Sequence, residues 1–264
     1  LLKEIEGCFL SRLGPGRLPK PNPEGPRRIR GLVCPHAGYV YSGPVAAASY
    51  AALAEDGAPG AVVIMGPNHT GRGSGVSIMT EGEWETPLGR VAVDTRLAEK
   101  ILTSSSIIDV DEEAHRYEHS LEVQIPFLQY LYQDRARIVP ICLMMQDLET
   151  SVEVGEAVAR AAGQADTVII ASTDMSHYEP QEEAQKKDSK AIEAILSLQE
   201  ERLHTVIRSE NVTMCGYGPV TALMRAARLC GFGQAELLSY RTSGDVTGDY
   251  GAVVGYASIK FSKQ

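Results

Sequence analysis

No uninterrupted apolar stretch in this 264-residue chain approaches the ~20 residues of a membrane-spanning helix. The longest runs, such as Ala61 to Met65 and Val168 to Ala171, have strand length, so a soluble protein is expected. Nor does the opening segment read as a signal peptide, because Lys3, Glu4 and Glu6 interrupt its apolar residues. Cysteine is scarce. Cys8, Cys34, Cys142, Cys215 and Cys230 are scattered and odd in number, which excludes a disulfide framework and points to a reducing cytoplasm. Basic charge is also short: 25 Lys and Arg stand against 34 Asp and Glu, a net charge of −9. A surface that tracks nucleic-acid phosphates, or one drawn to an anionic bilayer, is therefore not expected. There is no internal repeat and no second composition regime, so residues 1–264 read as a single domain.

What is present is an alternation of apolar runs and helical patterns. Leu1, Ile5, Phe9 and Leu13 recur every four residues, the stripe of a short amphipathic helix over 1–13. Residues 14–28 hold five prolines between Gly14 and Pro26, which predicts an irregular strap delivering the chain into a strand at Ile29 to Val33. A helix is expected to open at Gly43-Pro44. Further strands are expected over 61–66, 138–143, 167–172, 236–241 and 252–259. An alternating pair is expected over 76–79 and 91–93, and helices over 95–104, 120–132 and 219–230. Nearly continuous apolar strands alternating with helices imply an α/β fold, a three-layer αβα sandwich around a mostly parallel, mixed sheet.

In such a sheet, ligands bind beyond the carboxyl ends of the strands. Three of the six histidines follow strand runs there: Pro35-His36-Ala37-Gly38-Tyr39, Gly66-Pro67-Asn68-His69, and Thr173-Asp174-Met175-Ser176-His177. Imidazoles converging from separate strands suit a metal or acid/base site, although each alone reads equally well as a loop residue bonded to backbone. His119, before a helical pattern, is a site residue or a helix-start residue. His115 and His204 lie in charged stretches and read as exposed. Cys215 precedes a helix that Pro219 starts, where a helix N-terminus lowers a thiol pKa. Asp174, three residues before His177, is placed to orient that imidazole or to close its turn. Asp245 and Asp249 read as turn residues.

Together, Pro35-His36-Ala37-Gly38-Tyr39, Gly66-Pro67-Asn68-His69, Glu118-His119-Ser120-Leu121-Glu122, Thr173-Asp174-Met175-Ser176-His177 and Cys215-Gly216 resemble the Memo family in order and rough spacing. That resemblance implies a fold like the class III extradiol dioxygenases, with His36, His69 and Cys215 as metal ligands. It makes Asp174 and His177 the remaining polar residues of the pocket, with His177 as acid/base. The cofactor it implies is iron or copper, with zinc as an alternative, and its microbial members are associated with a radical-SAM protein and an AMMECR-type domain. Cys215 stands where those dioxygenases have a carboxylate; a thiolate favours zinc, Cu(I) or thiolate-bound iron, so ring cleavage does not carry over. Three readings follow: a redox metalloprotein, a zinc hydrolase-like site, and a non-catalytic module whose polar pocket grips a peptide or small ligand without metal; the net charge argues against a phosphorylated partner, for which Arg72, Arg90 and Arg116 would have to gather locally.

Overall fold

The structure, a computed structural model, describes residues 1–162 and 166–263, the side chain of Asp134 excepted. The first half runs α1 (Leu2–Leu10), β1 (Ile29–Cys34), α2 (Tyr39–Asp56), β2 (Ala61–Pro67), β3 (Val76–Ile78), β4 (Glu83–Thr86), β5 (Gly89–Val93), α3 (Thr95–Thr103), β6 (Asp109–Val110), α4 (His119–Glu122) and α5 (Ile125–Tyr132). The second half follows with β7 (Arg137–Leu143), α6 (Leu148–Ala162), β8 (Thr167–Ser172), β9 (His177–Glu179), α7 (Gln181–Leu196), α8 (Glu200–Ser209), α9 (Tyr217–Cys230), β10 (Gln234–Thr242), α10 (Gly244–Thr247) and β11 (Val253–Ser262).

The centre of the sheet is a parallel block in the order β1-β8-β2-β7, flanked by antiparallel β11 and β10 on one side and antiparallel β3 on the other. Because successive strand side chains point to opposite faces, each central strand feeds two cores. Val63, Met65, Ile169 and Ala171 pack with α3, α6, α7, α8 and α9, whereas Val62, Ile64, Val168 and Ile170 pack with α1, α2 and α5. The result is a three-layer α/β sandwich. On the second face Tyr50 stacks on Phe127 at 4.6 Å and Phe9 meets the same ring edge-on at 5.7 Å, which pins three helices at one point.

The segment between α1 and β1 lies along the C-terminal part of α2, with the Asn22 amide on the Ala54 carbonyl and Arg17 paired to Glu55. Two local expectations change. The helix expected at Gly43-Pro44 starts at Tyr39, with the Tyr41 and Ser42 amides donating to the Gly38 carbonyl; Pro44 lies inside it and removes the one bond that would run to the carbonyl of the exposed Val40. Residues 76–79 and 91–93 do not pair with each other. β3 and β5 each join β7, and the hairpin partner of β5 is β4, with Trp84 opposite Val91.

Candidate metal centre

The parallel registers bring the carboxyl ends of the strands level, Cys34 beside Ser172 and Pro67 beside Leu143. The loops leaving β1 and β2 therefore project His36 and His69 over one edge, and α4 adds His119. Each of these three imidazoles offers a ligand atom, and the three atoms lie within 4.8 Å of one another. The His36 ring centroid is 5.2 Å from that of His69 and 5.4 Å from that of His119. Cys215 enters from the N-terminal side of α9, its Sγ 3.3 Å from His36 Nε2.

Hydrogen bonds settle which nitrogens face inward. The Ser172 hydroxyl donates to the Ser120 carbonyl at 2.6 Å, so it must accept from the two groups that also reach it: Gln124 Nε2 at 2.9 Å and His36 Nδ1 at 2.9 Å. His36 thus carries its proton on Nδ1 and turns the Nε2 lone pair toward Cys215. Gln124 is itself held by Tyr50, whose hydroxyl donates to Oε1 at 2.8 Å, so the network runs from the aromatic core to the site. Burial, followed by the neighbouring His69 and His119, holds the His36 pKa well below its usual value, which keeps the ring neutral.

Glu118 does the same for His69. Its Oε1 accepts from His69 Nδ1 at 2.8 Å and from the Ser120 amide at 2.9 Å, and lies 3.5 Å from His119 Nδ1; Oε2 takes the His69 amide. Burial opposes the carboxylate charge, yet the His69 and Ser120 hydrogen bonds outweigh it and hold the pKa at about 2. A buried, ionised acceptor against Nδ1 leaves Nε2 free, the orientation in which metal-ligating histidines are held. Two glycines permit the close approach. A Cβ on Gly66 would come within 2.6 Å of Ser120 Oγ, and one on Gly216 would collide with the Ser172 carbonyl.

Three expectations are corrected here. Asp174 does not orient His177: its Oδ1 accepts the His36 amide at 2.8 Å, and its own amide meets Cys215 Sγ at 3.2 Å. His177 is held instead by Thr213, whose carbonyl accepts from Nδ1 at 2.8 Å, leaving Nε2 with its lone pair. It is near enough to His36 and Asp174 to act on both electrostatically, so it borders the same pocket. The Cys215 thiol is raised rather than lowered, because burial and then the Asp174 carboxyl outweigh the helix N-terminus. Burial likewise raises Asp174, against the His36 amide that donates to it. His204 and His115, expected to be exposed, are buried: His204 Nε2 faces Thr221 Oγ1 at 3.0 Å, and His115 packs edge-on to Trp84.

Cys34 is a strand-end core thiol, pushed up to about 12 by burial. Asp245 and Asp249 serve their turns, accepting from the Thr242 and Gly251 amides. Arg72, Arg90 and Arg116 do not gather. Arg72 and Arg116 meet on the Glu113 carboxylate, while Arg90 pairs with Glu83, so the three do not converge on one point and each is already matched by a carboxylate. Residue-by-residue reading missed Glu118, Ser172, Gln124 and Thr213 as orienting groups. The only local signal was the Glu-His-Ser run at the start of α4.

A strand-end cluster of imidazoles and a thiol on a three-layer α/β sandwich defines a class of proteins with a cation-capable polar site. The description "Memo-like protein" matches residues 3–260, and the chain belongs to the Memo family. The MEMO1 family protein of Methanopyrus kandleri is 52% identical over 265 residues, covering 100% of this chain and 93% of its own length. That of Sulfurisphaera tokodaii is 46% identical, covering 99% and 93%. The crystal structure of an uncharacterized protein from Escherichia coli K12 superposes with a TM-score of 0.59 over 88% of this chain and 99% of its own, at 16% identity, a likeness of fold alone. No helix among the described residues is long and apolar enough to cross a membrane.

Proposed function

We propose that this Memo-family protein is a redox metalloprotein that holds iron or copper through His36, His69 and Cys215, with His119 as a further imidazole at the same point. The observation that carries the reading is the convergence of three ligand-capable imidazoles within 4.8 Å, with a thiol 3.3 Å from the innermost nitrogen. The donor set fits such an ion. Imidazole and thiolate together suit iron, copper or zinc, and the lone pairs that remain free are the inward ones. The thiol proton, raised by burial and shared with His36 Nε2, is the one a cation would displace.

When bound, iron or copper would supply one-electron chemistry, of the kind the likeness to extradiol dioxygenases suggests. The chain's own residues bind and manage protons. Asp174 fixes the His36 backbone, Glu118 fixes the His69 ring, and His177 offers Nε2 on the open side to take or return a proton. His69 and His119 are exposed, so a substrate would approach from that side. Zinc is the second reading, favoured by the thiol in the donor set; His177 would then serve as general base for water. The five free thiols accord with a reducing cytoplasm, and the radical-SAM and AMMECR-type partners implied by the family resemblance belong to this same proposal.

Metal analysis of protein purified without chelator tests it. Near-stoichiometric iron or copper is expected, with loss in His36→Ala and Cys215→Ser. Metal content unchanged by both substitutions would overturn the reading, and tightly held zinc with a spectrum insensitive to reduction would favour the hydrolase-like alternative.

A further inference from the structure

A tyrosine hydroxyl that enters the interior ordinarily finds a partner there. Among the described residues Tyr50, Tyr132 and Tyr256 are buried. Tyr50 donates to Gln124 Oε1 and Tyr132 to the Gly57 carbonyl, whereas the Tyr256 hydroxyl has no hydrogen-bond partner in the protein. The partnerless side-chain atoms that are sealed from solvent belong to His115, Thr167, Ser176 and Glu200, so Tyr256, only 2% exposed, keeps its hydroxyl against an opening.

Strand β11 places that opening. Val254 pairs with His177, and Gly255 is bonded to the same loop, its carbonyl accepting the Met175 amide and its amide donating to the Ser176 carbonyl. Side chains alternate along a strand, so Gly255 faces α7, where a Cβ would collide with Asp188, and Tyr256 faces α2. Ser258, on the same face, meets Ser49 of α2 at 2.5 Å. Because β11 runs antiparallel to β1, it descends from the carboxyl edge of the sheet, and Tyr256 stands nearer that edge than Ser258 does. It is near enough to Asp174, Tyr41 and Tyr178 to be acted on electrostatically by each. Asp174 in turn accepts the His36 amide and donates to Cys215 Sγ, so the free hydroxyl borders the imidazole and thiol cluster. Tyr41 and Tyr178 are exposed, and water serves their hydroxyls. Burial raises the Tyr256 phenol above its usual value, so the group it presents at neutral pH is a donor. A fixed donor beside a cation-capable cluster suits a ligand with two acceptor oxygens, and a carboxylate carries both on one carbon.

We propose that Tyr256 is a ligand-contacting residue of this centre, its hydroxyl donating to one oxygen of a small carboxylate whose other oxygen faces the imidazoles. The inference rests on the metal reading above for the second anchor, and it adds the class of ligand.

The test uses the intact protein with its tyrosines labelled at ¹³Cζ, metal-free and loaded with Zn²⁺ as a spectroscopically silent ion. Acetate is titrated in at constant ionic strength, and the Tyr256 resonance is the one lost in Tyr256→Phe. A saturable shift of that resonance is expected in the zinc form. Tyr256→Phe is expected to weaken acetate binding roughly tenfold, the equivalent of about 1.4 kcal/mol, as followed on the Tyr41 resonance. Its zinc content and denaturation midpoint are expected to match the wild type, which separates a ligand contact from a structural role. A Tyr256 resonance indifferent to acetate overturns the proposal, as does an acetate affinity unchanged by Tyr256→Phe. Failure to take up zinc counts against the metal reading alone; the metal-free titration then decides for Tyr256, a shift sustaining the contact and its absence ending it.

Discussion

The floor and the rim of the imidazole cluster are built in different ways. His36 and Cys215 on the floor are held by groups that belong to the core: Ser172 at the end of a central strand, Gln124 in front of α5, and Tyr50 within the aromatic cluster. His69 and His119 on the rim stand in solvent; His69 depends on one buried carboxylate, Glu118, which lies 3.5 Å from His119 Nδ1. His177, further out, depends on a loop residue, Thr213. Geometry on the floor is thus a property of the fold, and geometry on the rim is a property of a few hydrogen bonds. The same difference separates what can be altered with the fold intact from what cannot.

Gln124→Leu is expected to have the largest effect on stability. It strands the Pro35 carbonyl in the core and leaves the Tyr50 hydroxyl only its longer bond to the backbone carbonyl of residue 124, a cost of roughly 2–4 kcal/mol, read as a lower denaturation midpoint. A change below about 0.5 kcal/mol would mean that the floor is no more core-bound than the rim, and the contrast would fail.

Glu118→Gln is the corresponding cut at the rim. It is expected to cost roughly 10- to 100-fold in metal affinity, with a smaller loss of stability, as measured by competitive titration and by denaturation. The pH dependence has a definite sign. Because the folded pKa is depressed from 4.5 to about 2, the carboxylate contributes stability above the unfolded value and loses it as pH falls through about 2. The wild type should therefore lose stability more steeply between pH 4.5 and 2 than Glu118→Gln does; equal slopes would show that Glu118 is not held as described.

The smallest effect is expected at Tyr178, which is 78% exposed and has φ +59°. Tyr178→Gly removes little packing and relieves a left-handed backbone, so stability should change by no more than about 1 kcal/mol, in the favourable direction. A loss larger than that would show that the rim around His177 is more tightly built than its hydrogen bonds suggest.

The sequence was most legible where one physical rule acts alone. The runs 138–143 and 167–172 are buried on both faces and read as central strands at nearly their observed bounds. The strand-end rule found His36, His69 and His177. It left His119 undecided, because that ring is delivered by the start of a helix and lies on no strand. It could not reach Ser172 or Gln124, whose roles come from side chains meeting across elements far apart in sequence. Hairpin partnership failed for a related reason: 76–79 and 91–93 alternate alike, and only the shared neighbour β7 decides where each goes. The Cys215 pKa went the wrong way because burial is a property of the assembled fold, while helix position is visible along the chain.

Glu118 is the N-cap of α4 as well as the anchor of the His69 imidazole, with the Ser120 amide and His69 Nδ1 on the same oxygen. Fraying of that one-turn helix and disassembly of the rim are consequently a single equilibrium. An ion that draws His69 and His119 together would slow amide exchange at Ser120 without touching it, and conditions that loosen the turn would release the ion.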